Sequence, residues 1–298
     1  MTSLSKPQIK LLFVGVFENN FRSTNTSQLL SFKSTGTNVV GYNYRDKAAQ
    51  IGNNERDEHL IQVVKQNNFD LVVYSKCNQV GYHVFEEINK LTATCLWFMD
   101  PLQTYNEEMR IKTALVDYFC CDKINVLQQA KLINKHSFLV PEGFDSRNDT
   151  PHEHILKEQD VTFIGNVYGS RSQILQSINR PVNIVSSAFG KNHSIEVSKS
   201  KINLNFCTSD GASDRVYKVL AAKGFLLSDD WKGRSETFED LKDLVIFKNV
   251  PDLNEKIEYY LSNPEETKAI AEHGYQTVQK YTRDAWAKRI IEINNEIR

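Results

Sequence analysis

Apolar residues in this chain group in two ways that alternate along it: short continuous runs, and stripes spaced three or four residues apart. The runs are IKLLFVGVF (9–17), NVVGYNYR (38–45), FDLVVYSK (69–76), ATCLWFMDP (93–101), VDYFCCD (116–122) and HSFLVPEGFD (136–145). Runs of this kind suit parallel strands covered on both faces. Between them, Leu60, Ile61 and Val64, then Val84, Phe85, Ile88 and Leu91, then Leu127, Ala130 and Leu132 fall at helical spacing. Strand and helix in regular alternation predict a parallel sheet with right-handed crossovers and helices on both faces.

Residues 143–160 interrupt the rhythm with Gly, Pro, His and clustered charge, the composition of a linker. A second series follows: VTFIGN from Val161, SRSQILQSI, VNIVSSAF, INLNFC, a helical stretch from Asp214 to Lys223, GFLLSDD and LVIFK. Asn263-Pro264-Glu265-Glu266 reads as a helix start, with proline at the first position and acids facing the positive dipole end. Trp286, Ile290, Ile293 and Ile297 make a last stripe that needs a surface to cover it. The expected fold is therefore α/β, two Rossmann-like domains facing across a cleft. The first spans 1–142 and the second 161–279, with a linker at 143–160 and a C-terminal helix over 280–298 expected to lie across both domains and pack back on the first.

Composition narrows the class without naming a function. The 298 residues are 40% hydrophobic and 24% charged, as in folded globular proteins, and the net charge of −1 provides no global field toward nucleic acid or an anionic membrane. Five scattered cysteines without a C-x-x-C pair read as reduced, structural thiols. No run approaches the roughly 20 apolar residues needed to span a bilayer. Ile9–Phe17 lacks the basic flank and small-x-small site of a signal peptide. A cytoplasmic protein is expected.

Doubly wound sheets bind ligands at the carboxyl ends of strands and the starts of helices, which is where candidate chemistry belongs. After VTFI comes Gly165-Asn166-Val167-Tyr168-Gly169-Ser170-Arg171. Glycine admits a close backbone approach, and Arg171 offers a cation to diphosphate oxygens. A plain βα turn with a solvated arginine is the alternative. In CTSDGASDRVYKVLAAKG (207–224), Ser213 or Asp214 can cap a helix whose first turn carries Arg215 and Lys218. Two cations there oppose the macrodipole unless an anion is bound; otherwise both extend into water. Asp100, held out of the α region by Pro101, is a candidate base for an acceptor hydroxyl, or a helix cap. The polar loop 18–27, with Ser23, Thr24 and Asn25, is a candidate acceptor contact or simply a turn. The seven histidines lack metal-ligand spacing, and no D-x-D follows a strand, so no metal site is expected.

Taken in order, KLLFVG, FDLVVYSK, LWFMDP, FLVPEGFD, VTFIGNVYGSR, SKINLNF, DRVYKVLAAKGFLLSDD and LNEKIEYYLSNPEETKAIAEHGYQTVQKYT resemble the bacterial spore-maturation-type glycosyltransferases, related to family 4 of these enzymes. The resemblance implies the GT-B architecture and transfer of a hexosyl or pentosyl group from a UDP- or GDP-linked sugar to an acceptor hydroxyl. No metal or other cofactor is implied. It maps donor contacts onto Gly165, Arg171, Asp210, Arg215, Tyr217 and Lys218. The acceptor stays open among glycan, protein, small molecule and modified nucleic acid. Related enzymes usually carry two glutamates separated by seven residues, where this chain has Asp210 and Lys218. Lysine cannot accept hydrogen bonds from a ribose. Either Lys218 reaches a phosphate, or the chain is a non-catalytic nucleotide-sugar or carbohydrate-binding protein on the same fold.

Overall fold

The computed structural model describes residues 8–207 and 211–298. The chain divides into two compact units, one running to Pro141 and including Arg283–Arg298, the other Glu142–Thr282.

The first unit alternates strand and helix: β1 (Lys10–Gly15), α1 (Thr24–Ser34), β2 (Asn38–Asn43), α2 (Tyr44–Ile51), α3 (Asn53–Asn67), β3 (Leu71–Ser75), α4 (Tyr82–Asn89), β4 (Ala93–Phe98), α5 (Glu107–Leu115), β5 (Tyr118–Cys121), α6 (Ile124–Ala130) and β6 (Ser137–Leu139). All six strands are parallel, in the order β2-β1-β3-β4-β5-β6. The two-residue period of a strand splits its apolar residues between the faces. Leu12, Val14, Val72, Tyr74, Leu96 and Phe98 meet α3 and α4 residues such as Leu60 and Phe85. Leu11, Phe13, Val73, Cys95 and Trp97 meet Phe32 of α1 and Trp286, Ile290 and Ile293 of the last helix.

Three local expectations for this unit change. The strand expected over 38–45 stops at Asn43, whose side chain accepts from Asp46 N and opens α2. That strand lies at the sheet edge, which leaves Val40 42% exposed instead of covered on both faces. Leu91 and Leu132 lie beyond the last turns of α4 and α6 and are 48% and 81% exposed.

The second unit holds β7 (Gln159–Ile164), α7 (Ser170–Gln176), β8 (Asn183–Val185), α8 (Lys191–Ser198), β9 (Ser200–Asn205), α9 (Asp214–Ala221), β10 (Leu226–Asp229), β11 (Val245–Phe247), α10 (Val250–Ser262) and α11 (Pro264–Val278); α12 (Arg283–Ile297) returns to the first unit. Its five strands are parallel in the order β11-β10-β9-β7-β8. The segment before β7 has neither helix nor strand, yet Phe144 is buried and bridges to Thr282, and Ser194 Oγ donates to Asn148 O.

In each sheet the first strand of the unit has its two sequence successors on opposite sides, β2 and β3 around β1, β8 and β9 around β7. Such switch points splay the loops at the carboxyl edge and open a crevice for ligand.

Candidate functional site

The switch point of the second sheet lies at the carboxyl ends of β7 and β9, and two arginines converge there. Arg171, in the first turn of α7, is 8% exposed; its Nη1 donates to Asn166 O at 3.2 Å and its Nη2 to Phe206 O at 3.0 Å. Its guanidinium lies 4.4 Å from the centre of the Tyr168 ring. Arg215, in the first turn of α9, is half-buried; its Nε donates to Ile164 O and its Nη1 to Asn205 Oδ1 at 2.8 Å, over the Phe163 ring. Gly165 has φ +147°, and a Cβ there would stand 2.3 Å from Arg215 Nη2. The glycine is thus required both by the backbone and by the arginine packed against it.

These cations are satisfied by neutral oxygens. Among the described residues no carboxylate lies within ion-pair reach of either guanidinium. Burial pushes Arg215 down to about 10, and the neighbouring Arg171 adds to the shift. Arg215 Nη2 has no acceptor among the described residues. A polyanion entering here would meet two fixed forks of N–H donors whose like-charge repulsion it relieves.

Asn205 organises the site and was missed from sequence. Fully buried at the end of β9, it accepts from Arg215 Nη1 and from Ser213 Oγ, and donates to Ser228 Oγ at 2.9 Å. Two asparagines in the apolar run INLNF were the available signal, because a buried amide must find partners. Ser213 stands at the N-cap of α9, but its hydroxyl goes to Asn205 instead of capping the helix.

Asp229, at the end of β10, accepts from Cys207 N at 2.6 Å. Burial raises its pKa to about 6, and the hydrogen bonds from Cys207 offset only part of that. A raised carboxyl contributes stability that is full below the unfolded value and lost as pH rises through the folded one. Asp229→Asn keeps the acceptor and removes the charge. Its Tm should exceed that of the parent at pH 7.5, with the gain vanishing by pH 4. Equal Tm differences at both pH values would contradict the assignment.

The other predicted donor residues are placed differently. Lys218 Nζ pairs with Asp214 at 3.0 Å, one turn back on α9, so its charge is already matched, and it does not join the arginine pair. Tyr217 is 4% exposed and packs edge-on to Phe238 and Tyr281 in the core. Asp210 lies outside the described residues. Gly165, Arg171 and Arg215 are the predicted residues that come together.

In the first unit, Asn25 is 6% exposed and spans that sheet's switch point, accepting from Val16 N and donating to Ser75 Oγ at 2.7 Å. Ser23 caps α1 and donates to Val16 O, and Thr24 is the half-buried first residue of that helix. Of these three, then, Asn25 and Ser23 hold the loop in shape. Asp100 follows β4 and pairs with Lys76 at 2.8 Å, its side chain 37% exposed; it caps no helix. Lys76 itself sits at φ 57°, beside Cys77 at 56°, an uncommon left-handed pair at the end of β3.

Among the described residues no group of three or more His, Cys, Asp or Glu side chains is placed to hold a metal ion, and no helix is long and apolar enough to cross a membrane.

Residues 151–292 match the family model described as glycosyl transferase-like. No curated protein matches by sequence. Among solved structures, HepE of Anabaena, crystallised with UDP-glucose, is similar with a TM-score of 0.72 at 8% identity, over 97% of this chain and 100% of that one. Sucrose-phosphate synthase of Thermosynechococcus elongatus gives 0.73 at 10% identity, over 97% and 99%. A glycosyltransferase of Rickettsia africae gives 0.67 at 13% identity, over 98% and 99%. The chain therefore has the two-domain GT-B fold of glycosyltransferases, and its second half is similar in sequence to the glycosyl transferase-like family.

Proposed function

We propose that this protein is a hexosyltransferase that takes its sugar from a nucleoside-diphosphate donor, UDP-linked in preference to GDP-linked, and passes it to an acceptor hydroxyl. The observation that carries this reading is the Arg171–Arg215 pair, two guanidiniums without a carboxylate partner among the described residues, at the switch point of the second sheet. Cations held on neutral carbonyls cost stability until an anion arrives, and a diphosphate leaving group matches two such forks. Their two charges replace the divalent ion that other transferases use, so turnover should persist in excess EDTA. The motif order over the whole chain supports the spore-maturation-type subgroup. The UDP-glucose bound by similar HepE supports the choice of nucleotide. Five free cysteines, four of them buried, support a reducing cytoplasmic setting. Asp100 is the acceptor-side base in this reading, with Lys76 paired to it at 2.8 Å.

The Lys218–Asp214 pair favours a second reading, binding without chemistry, because it leaves no carboxylate at that position for a ribose. One experiment separates them. Thermal shift against UDP, GDP and their glucose conjugates reads binding, since a ligand at 100 times its Kd adds about 2.7 kcal/mol to stability. Release of UDP from UDP-glucose, with and without candidate acceptors, reads turnover. Stabilisation with turnover supports the transferase, stabilisation alone supports the binder, and no stabilisation by any nucleotide removes both.

A further inference from the structure

The second unit also carries a cavity of about 630 Å³ at the amino-terminal edge of its sheet, lined by Lys157 ahead of β7, Lys201 on β9 and Phe225 ahead of β10. The arginine pair is at the other end of the strands, roughly 20 Å away along a six-residue strand. The volume falls in the range of small-molecule sites. Its apolar wall is Phe225 against Tyr260, ring centroids 4.7 Å apart, with Leu261, and Ala222 and Ala271 leave the space open.

The strap Pro151–Lys157 forms the opposite side and is pinned in place. Lys223 Nζ binds Glu153 at 2.8 Å, and His152 Nε2 meets Ser194 Oγ at 3.0 Å. On this strap Ile155 lines the cavity, and its neighbour Leu156 is 78% exposed.

The lining charges do not all cancel locally. Lys223 is held between Glu153 and Glu272, and Lys201 by Asp160. Lys268 and Glu265 both lie at exposed positions of α11. Lys157 remains. Its ammonium donates to Ser200 O at 2.7 Å and meets no carboxylate among the described residues, and desolvation of that end lowers its pKa although the residue as a whole is exposed. An ammonium has three donors, so two are left to a ligand. An ammonium anchored this way beside carboxylates Glu153 and Glu265 favours one negative charge over a polyanion.

We propose that this cavity is a second ligand site, taking an apolar carboxylate whose acyl or aryl body lies against Phe225 and Tyr260 and whose head group binds Lys157 Nζ. The site is independent of the donor reading. Calorimetric titration with decanoate, below its micelle concentration, and with decanol as the neutral counterpart tests it. Decanoate should bind the full chain with millimolar affinity or better, at least about tenfold more tightly than decanol, the value of one charge-assisted hydrogen bond. Lys157→Gln should remove that margin while leaving decanol unchanged. Ile155→Asp, on the strap and outside the sheet, should weaken decanoate further by setting a carboxylate at the mouth. UDP-induced stabilisation should be unaltered in both variants, which shows them folded and separates this site from the arginine pair. Failure of decanoate to bind, equal affinity for decanol, or decanoate affinity indifferent to both substitutions would overturn the proposal; decanoate binding without any response to UDP would sustain it while removing the donor reading.

Discussion

Arg215→Ala should lower the affinity for UDP by about a hundredfold, the largest functional effect expected of any single substitution in this chain. A charge-assisted hydrogen bond is worth about 1.5–3 kcal/mol, and each 1.4 kcal/mol is a factor of ten. Arg215 Nη2 is the donor left open among the described residues, next to Gly165, where a phosphate oxygen can approach closely. Truncation also strips partners from Ile164 O and Asn205 Oδ1, so some loss of Tm should accompany it. Arg215→Lys separates the two effects. It keeps the charge but not the fork, and should recover only part of the affinity. His152→Ala, which removes the strap's hydrogen bond to Ser194 of α8, should leave UDP binding unchanged. Equal losses from Arg215→Ala and His152→Ala in titration calorimetry would take the diphosphate away from the arginine pair.

Trp286→Ala should produce the largest loss of stability, about 3–5 kcal/mol in urea unfolding, or on the order of 10 °C in Tm. Trp286 of α12 is 2% exposed, with its ring centroid 5.0 Å from Phe32, 5.3 Å from Trp97 and 6.3 Å from Phe13. These side chains join one face of the first sheet to α1 and α12, so deletion of the indole opens a void that three large rings cannot collapse to fill. The indole Nε1 has no hydrogen-bond partner among the described residues, so its contribution is packing alone. Trp286→Phe should therefore restore most of the loss. A change below about 1 kcal/mol on truncation would mean that α12 is not integral to this unit.

The C-terminal stripe shows how periodicity becomes legible. Trp286, Ile290 and Ile293 were spaced for one helical face, and that face is buried against the first sheet. The runs at 9–17, 69–76 and 93–101 were equally clear, because a strand covered on both sides must be apolar at every position. Strand NVVGYNYR read the same way and differs, since sequence alone does not say which strand will be at an edge. Just past α9, Lys223 and not the neighbouring glycine takes the left-handed turn, at φ 59°. Gly224 is needed for a different reason: a Cβ there would lie 2.5 Å from Val197 Cγ1, a neighbour brought close only by folding.

By itself the sequence determined the alternation of elements, the two parallel sheets and the clustering of arginines at helix starts, all of which depend on local periodicity and on residue chemistry along a few turns. Tertiary structure alone decided which cations are matched. Lys218 and Arg215 look alike in DRVYK, but one turn of helix gives Lys218 the carboxylate of Asp214, while Arg215 reaches across to the ends of β7 and β9 and finds only neutral oxygens among the described residues. The same holds for Asn205 and for the cavity beside Lys157, because both are assembled from strands and helices distant in sequence. Electrostatic free energy depends on distances across the fold, and those distances are set by packing rather than by position along the chain.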